Sequence, residues 1–319
     1  MKLYKRKILF SILLTLYIIL ILLLSMVFMG LGYSGSSVVY KYRFHRIFSA
    51  IATGFILGFV GGSLQSVLRN PLVDHHILGV GGGALFSVYL LYLFTPATSL
   101  FIVSIVAITG GLTALFIVIS VSEAIGGSDI AYVLTGIGVS ALFSGLSVTL
   151  SFIIASRNPY VIHLLLGSLI AVSYKWFIVQ VILLMTASTC TVLFSKPLNT
   201  LVLGDEYAMQ LGYNPRTYRF VVVIVSGVLA SITVAYSGII GFIGLVSPHI
   251  SRLMLKTIDN RFVLPLSCLN GSLILLITDN FSRLILSGMY GEIPVGALTS
   301  AIGAPFFLLL LVKRFRGRV

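Results

Sequence analysis

The stretch Leu203–Arg219 reads LGDEYAMQLGYNPRTYR. It interrupts a chain that is otherwise a succession of long apolar runs. Asp205 and Glu206 are two of only 8 acidic residues. They stand where the first turn of a short helix would lie, at the end that the helix dipole makes positive. Gly212 stands where that helix would stop, as the left-handed residue after a C-cap. Asn214-Pro215 then reads as an N-cap with proline at N1, opening a second short helix. The spacing predicts two short helices joined by a tight turn, projecting from a bundle of membrane spans as a knob on which something docks.

What surrounds the knob sets the class. The chain has 319 residues, 58% hydrophobic and 9% charged, with a mean hydropathy of +1.10. A soluble fold of this length cannot hide so much apolar surface. At roughly 20 residues per span there is room for about ten transmembrane helices and no large soluble domain. The reading is an all-α polytopic membrane protein, a single transmembrane domain over residues 1–319. The apolar runs are continuous and do not alternate, which excludes an outer-membrane barrel.

The spans run about Ile8–Met29, Arg46–Leu68, Ile77–Phe94, a fourth ending near Val121, Ala131–Ala155, Tyr174–Phe194, Phe220–Tyr236, Ile239–Leu255, Phe262–Leu286 and Pro294–Val312. The first has a basic start like a signal peptide. Its apolar core is too long for an h-region and no A-x-A site follows, so it reads as a retained span. The division between the seventh and eighth rests on little more than Ser237-Gly238. Lys and Arg then fall mainly on one side: Lys41, Arg43, Arg46, Arg157, Lys175 and Arg283 lie outside and the other 15 of 21 inside. That bias places both termini and the knob in the cytoplasm, in a multi-pass protein of the cell membrane. It also accounts for the formal net charge of +13 without nucleic acid, since the charges flank the spans. Cys190 and Cys268 sit in apolar runs and read as buried hydrophobes, not a disulfide.

Several motifs compete for chemistry. Gly79-Val80-Gly81-Gly82-Gly83-Ala84 matches a dinucleotide fingerprint, but no strand precedes it. Close helix packing is its ordinary reading, as it is for Gly54, Gly58 and Gly62 spaced four apart. Gly32-Tyr33-Ser34-Gly35 matches the G-x-S-G of intramembrane serine proteases, with His249 as a remote partner, but it falls outside the first span. His75-His76 beside Asp74 reads as a solvated loop. Asp279 is the only acid inside a predicted span, and Arg283 on the same helix face reads as its structural partner. No phosphate-binding G-x-x-x-x-G-K-[ST] loop occurs, so nucleotide energy would have to come from another chain. An ion-coupled secondary transporter would need polar groups clustered at mid-membrane and broken helices; Asp279 alone meets that description.

The chain resembles the FecCD-type permeases, membrane subunits of binding-protein-dependent ABC importers for iron–siderophores, haem and cobalamin. The resemblance runs from about Arg43 to the C-terminus. It is carried by Gln65-Ser66-Val67-Leu68-Arg69-Asn70-Pro71-Leu72 with Leu78-Gly79-Val80, Leu203-Gly204-Asp205-Glu206-Tyr207-Ala208 with Leu211-Gly212, Gly241-Phe242-Ile243-Gly244-Leu245-Val246-Ser247-Pro248-His249, and Ile293-Pro294-Val295-Gly296 with Gly303-Ala304-Pro305.

The resemblance implies the type II ABC importer permease fold with ten spans. It implies a homodimer, two ABC ATPase subunits beneath it that carry ATP and Mg, and a solute-binding protein outside. This chain would hold no cofactor or metal and would not itself be an enzyme; its other neighbour is membrane lipid. The knob would be the coupling element of about residues 203–219, acting through Gly204, Asp205, Glu206, Tyr207, Ala208, Leu211, Gly212 and Arg216. Asn70, Pro71, Leu72, Ser128 and Asp129 would line the cytoplasmic gate. Arg43, Arg46 and Arg283 would dock the binding protein, whose cargo passes by alternating access. Two departures stand out: His45 replaces the family's proline between Arg43 and Arg46, and Asp129 stands where small polar residues are common.

Overall fold

The computed structural model describes residues 2–31, 36–95, 99–126, 129–156, 160–170, 174–286 and 292–316. All its regular elements are helical. We number them α1 (Lys2–Gly30), α2 (Ser37–Val67), α3 (Val80–Phe94), α4 (Leu100–Ala124), α5 (Asp129–Ala155), α6 (Tyr160–Leu166), α7 (Phe177–Leu203), α8 (Asp205–Gln210), α9 (Pro215–Ser237), α10 (Ile243–Leu255), α11 (Asn260–Phe281) and α12 (Val295–Arg316). A 3₁₀ turn, Tyr174–Trp176, leads into α7, and a π turn, Ser282–Leu286, ends α11. Among the described residues, seven helices are long and apolar enough to cross a membrane, and Val80–Phe94 and Val295–Leu309 form shorter apolar helices. The protein is a multi-pass membrane protein.

Helix α2 is the central post, buried against α7, α9, α10 and α11. Its glycines make this possible. A Cβ at Gly54 would fall inside the backbone of Gly271 on α11, one at Gly58 inside Ser267, and one at Gly61 inside Gly244 on α10. At Gly61 the backbones touch where a side chain would stand, which is how small residues give apolar helices close contact in a bilayer. The Ser267 hydroxyl donates to the Gly58 carbonyl at 2.8 Å, across the same seam. The glycines of the dinucleotide-like stretch also serve packing: Gly83 meets Gly110 of α4.

Two spans are shorter at the start than the sequence expectation. The third helix begins at Val80, not Ile77, and the eighth at Ile243, not Ile239. At 1.5 Å per residue, α3 and α10 are only about 22 and 20 Å long, short of the roughly 30 Å hydrocarbon core. The non-helical segments 68–79 and 238–242 lead into them. Irregular backbone at depth is tolerated where protein, not lipid, surrounds it. Accordingly Asn70, Asp74 and His75 are buried, and the Asp74 carboxylate caps the turn by accepting from the backbone N–H of His76 and Ile77. The expectation of a solvated His75-His76 loop is therefore corrected: His75 is fully enclosed.

The second short helix of the knob is also corrected. It has no end of its own; it is the start of α9, which runs unbroken from Pro215 to Ser237. Cys190 and Cys268 are both free and buried. The Gly32–Gly35 motif lies outside the described residues.

Candidate functional site

Helix α8 lies at the end of the bundle where α1 begins: Arg6 of α1 reaches the Lys256 carbonyl after α10. Its boundaries follow the local rules. Gly204 opens it at a φ of 132°, and Gly212 ends it at a φ of 81°, the left-handed region that favours glycine. The Asn214 side chain accepts from the backbone N–H of Arg216 at 3.1 Å and Thr217 at 3.3 Å, capping α9. Ala208 is buried beneath the helix, while Glu206, Tyr207, Met209 and Leu211 are exposed. The short helix thus buries one methyl group and offers an apolar face with an acidic edge. Arg216 is exposed beside it.

Asp205 turns away from that face. Its carboxylate accepts two hydrogen bonds from Arg219 of α9, at 2.6 and 2.8 Å, and a third from Arg69 at the end of α2. Arg69 also donates from Nε to the Leu201 carbonyl at 2.8 Å. Next to Arg69, the buried Asn70 folds its segment into a hook: its N–H bonds the Gln65 carbonyl and its side chain accepts from the Leu72 N–H. Of the expected gate residues, Asn70, Pro71 and Leu72 therefore follow directly on Arg69, which bonds to α8. Asp129 is the first residue of α5, and Ser128 lies outside the described residues. Glu123 at the end of α4 and Tyr132 of α5 hydrogen-bond across that second loop.

At the opposite end the three arginines do different things. Arg46 is 3% exposed and forks onto Asp279, Nε to Oδ2 at 2.9 Å and Nη2 to Oδ1 at 3.0 Å. Its Nη1 donates to Glu292 at 2.6 Å and to the Tyr42 hydroxyl at 3.2 Å. So Asp279 pairs with Arg46, not with Arg283, and Arg46 is not offered to a partner as a surface charge. Arg283 donates to Asn280 and to the Phe28 carbonyl. Arg43 donates to the carbonyls of Met29 and Leu31. Both side chains meet carbonyls that the end of α1 leaves without intrahelical partners, at the pole where a cation is favoured.

A polar cluster closes the α11 start on the α8 side. Asp259 caps α11 through the Arg261 N–H, takes the Arg261 guanidinium at 2.6 Å and accepts from Asn199 of α7 at 2.6 Å. Burial pushes the Asp259 carboxyl up, but these hydrogen bonds and the cation outweigh it and hold the carboxyl below its ordinary range.

The FecCD transport family matches residues 7–313 of this chain. The chain belongs to that family. The FecCD chain is 34% identical to the Fe(3+)-citrate import system permease of Bacillus subtilis, covering 91% of this chain and 86% of the relative. It is 32% identical to the hemin transport system permease of Yersinia pestis, over 86% and 83%. A solved structure of an inward-facing, metal-chelate type ABC transporter superposes with a TM-score of 0.80 at 30% identity, covering 95% of this chain and 99% of that one. The chain has the ABC importer permease fold and is a transport component.

Proposed function

We propose that this chain is the translocation subunit of an ABC importer for a metal chelate, an iron–siderophore or haem complex, and that α8 is where motion of a separate ATPase enters the membrane. The observation that carries the reading is α8 itself. A six-residue helix between two long ones, buried only at Ala208 and tied through Asp205 to Arg69 and Arg219, leaves Tyr207, Met209 and Leu211 exposed in apolar company. Apolar side chains gathered on so short a projecting helix are the kind of surface that a partner covers.

The ATPase subunits, two per assembly, hold ATP and Mg; this chain offers them Glu206, Tyr207, Met209, Leu211 and Arg216. The basic-residue bias puts the α8 end and both termini in the cytoplasm. A second copy of the chain completes the pathway. The broadly exposed α5 supports this, because an added Cβ at Gly138 or Gly145 has no neighbour within 4 Å. Segment 68–72 and the α4–α5 loop with Ser128 and Asp129 form the cytoplasmic gate, and ATP-driven movement of α8 exchanges outer for inner access. The binding protein docks at the opposite end, where Arg43 and Arg283 border the end of α1 and Arg46 supports them from within.

The test is co-purification. Tagged wild-type chain should retain its ATPase from membranes. Tyr207→Asp together with Met209→Asp, which place charge on the apolar face, should lose it while the permease still runs as a monodisperse peak. Full retention by the double variant would contradict the assignment of this face.

A further inference from the structure

The resemblance places Asp205 among the ATPase contacts, yet its carboxylate is engaged by two arginines from two different elements. We propose that Arg69, Asp205 and Arg219 form a charge strap that transmits displacement of α8 to the gate segment 69–72, so that Asp205 is a positioning residue and not an ATPase contact. The inference rests on α8 being the coupling helix.

The geometry divides the strap into unequal legs. Arg219 grips both carboxylate oxygens, and a bidentate fork fixes direction as well as distance. This leg joins α8 to α9. Arg69 makes a single contact to Asp205 with Nη2 and anchors Nε on Leu201, the third-last residue of α7. This leg joins α8 and α7 to the end of α2. Arg69 has a left-handed backbone, φ 51°. A non-glycine residue pays for that conformation only where its surroundings hold it. Here the holder is the side chain, fixed at Leu201 and Asp205. The peptide that Arg69 strains into place leads straight to Asn70, whose hook sets Pro71 and Leu72. A shift of Asp205 therefore acts on the backbone of the gate segment within one residue.

The second gate loop meets the same place. Glu123 and Tyr132, bonded across the α4–α5 loop, line one cavity of about 780 Å³ together with Asp205 and Arg219. The end of α2 at Val67 and Leu68, the facing ends of α4 and α5 and Asp205 and Met209 of α8 thus border a shared space, which leaves room for the strap to move.

Exposure says what the strap is for. The Arg69, Asp205 and Arg219 side chains are 38%, 42% and 36% exposed. Ion pairs so open to solvent add little stability. They can, however, set direction, and a half-exposed pair parts and re-forms without a large desolvation cost. Loss of the strap should leave folding and ATPase binding in place and decouple the gate.

The experiment uses the full complex purified through a tag on this chain, with Cys190 and Cys268 replaced by alanine and Leu72→Cys added as a reporter. The readout is the rate at which a membrane-impermeant maleimide labels position 72, with and without ATP and vanadate. In the reference complex this rate should change on ATP and vanadate. In Arg69→Met, which keeps the apolar stem, the ATPase should co-purify and hydrolyse ATP as in the reference. The nucleotide-dependent change in labelling should fall about tenfold, the scale of coupling between linked sites. Arg69→Lys, whose ammonium still reaches Asp205, should recover most of it. Asp205→Asn should retain the ATPase but lose the labelling response. A full response in Arg69→Met overturns the proposal, as does loss of the ATPase in Asp205→Asn. If no ATPase accompanies the reference complex, the coupling-helix reading fails instead, and that outcome is distinct from both.

Discussion

Replacing Arg46 by methionine removes a buried cation and keeps an apolar stem of similar reach. It strands Asp279, which is 1% exposed and whose fork comes from Arg46. Glu292 also loses a partner, but its side chain is 31% exposed and water can take over. The cost should therefore be that of one orphaned buried carboxylate, about 3–5 kcal/mol. At about 2 °C per kcal/mol for a chain of this size, the loss is roughly 6–10 °C in Tm. The second variant makes the reasoning specific. Arg46→Met with Asp279→Leu removes both charges, and an apolar pair in a buried site is often neutral or better. The double variant should recover most of the lost Tm. The assay is thermal unfolding in detergent, followed by loss of monodispersity, for the two single variants and the double. An unchanged Tm in Arg46→Met, or two single losses that simply add, would refute the claim that this pair is internal architecture. Such a result would return Arg46 to the docking surface.

Two further outcomes follow from the same geometry. Gly61→Ala should give little monodisperse protein, because its Cβ meets the Gly244 backbone and not a side chain that can turn away; overpacking costs about 1–3 kcal/mol or more, whereas Gly30→Ala, with no neighbour within 4 Å, should match wild type. Asp259 should make stability pH-dependent: its folded pKa is depressed, so its contribution is full above the ordinary aspartate value of about 3.9 and is lost as pH falls through the lower folded value. The Tm difference between wild type and Asp259→Asn should be constant at neutral pH and shrink under acid; a difference that grows under acid would reverse the sign of this argument.

The parts of the fold legible in the sequence are those governed by near neighbours. Gly212, Asn214 and Pro215 announced the end of α8 and the start of α9, because caps depend on residues one to three positions away. The run of apolar spans was legible for the same reason. No stop signal follows Arg219, and the supposed second short helix accordingly runs on to Ser237, 23 residues in all. The late starts of α3 and α10 were hidden because an apolar run looks alike as helix and as buried coil. The left-handed Gly79 and the Asp74 cap are the local signs that mark the first of them. His75 runs against its own polarity, and composition carries no signal of its burial. The Arg46–Asp279 pair joins residues 233 apart, and Arg283, four positions from Asp279, was the only partner that local spacing could offer. A buried acid can be met by a cation, as Asp279 is by Arg46, or by backbone N–H groups, as Asp74 is, and composition does not distinguish the two.

The central claim is that transport here is powered by ATP hydrolysed on another chain. The most direct measurement is uptake of a radiolabelled ferric chelate or haem into proteoliposomes that hold the purified complex, with ATP on the α8 side and no ion gradient. The account predicts uptake that requires the ATPase subunits and ATP and that stops with vanadate. Uptake that proceeds without the ATPase and follows an imposed proton or sodium gradient would contradict it.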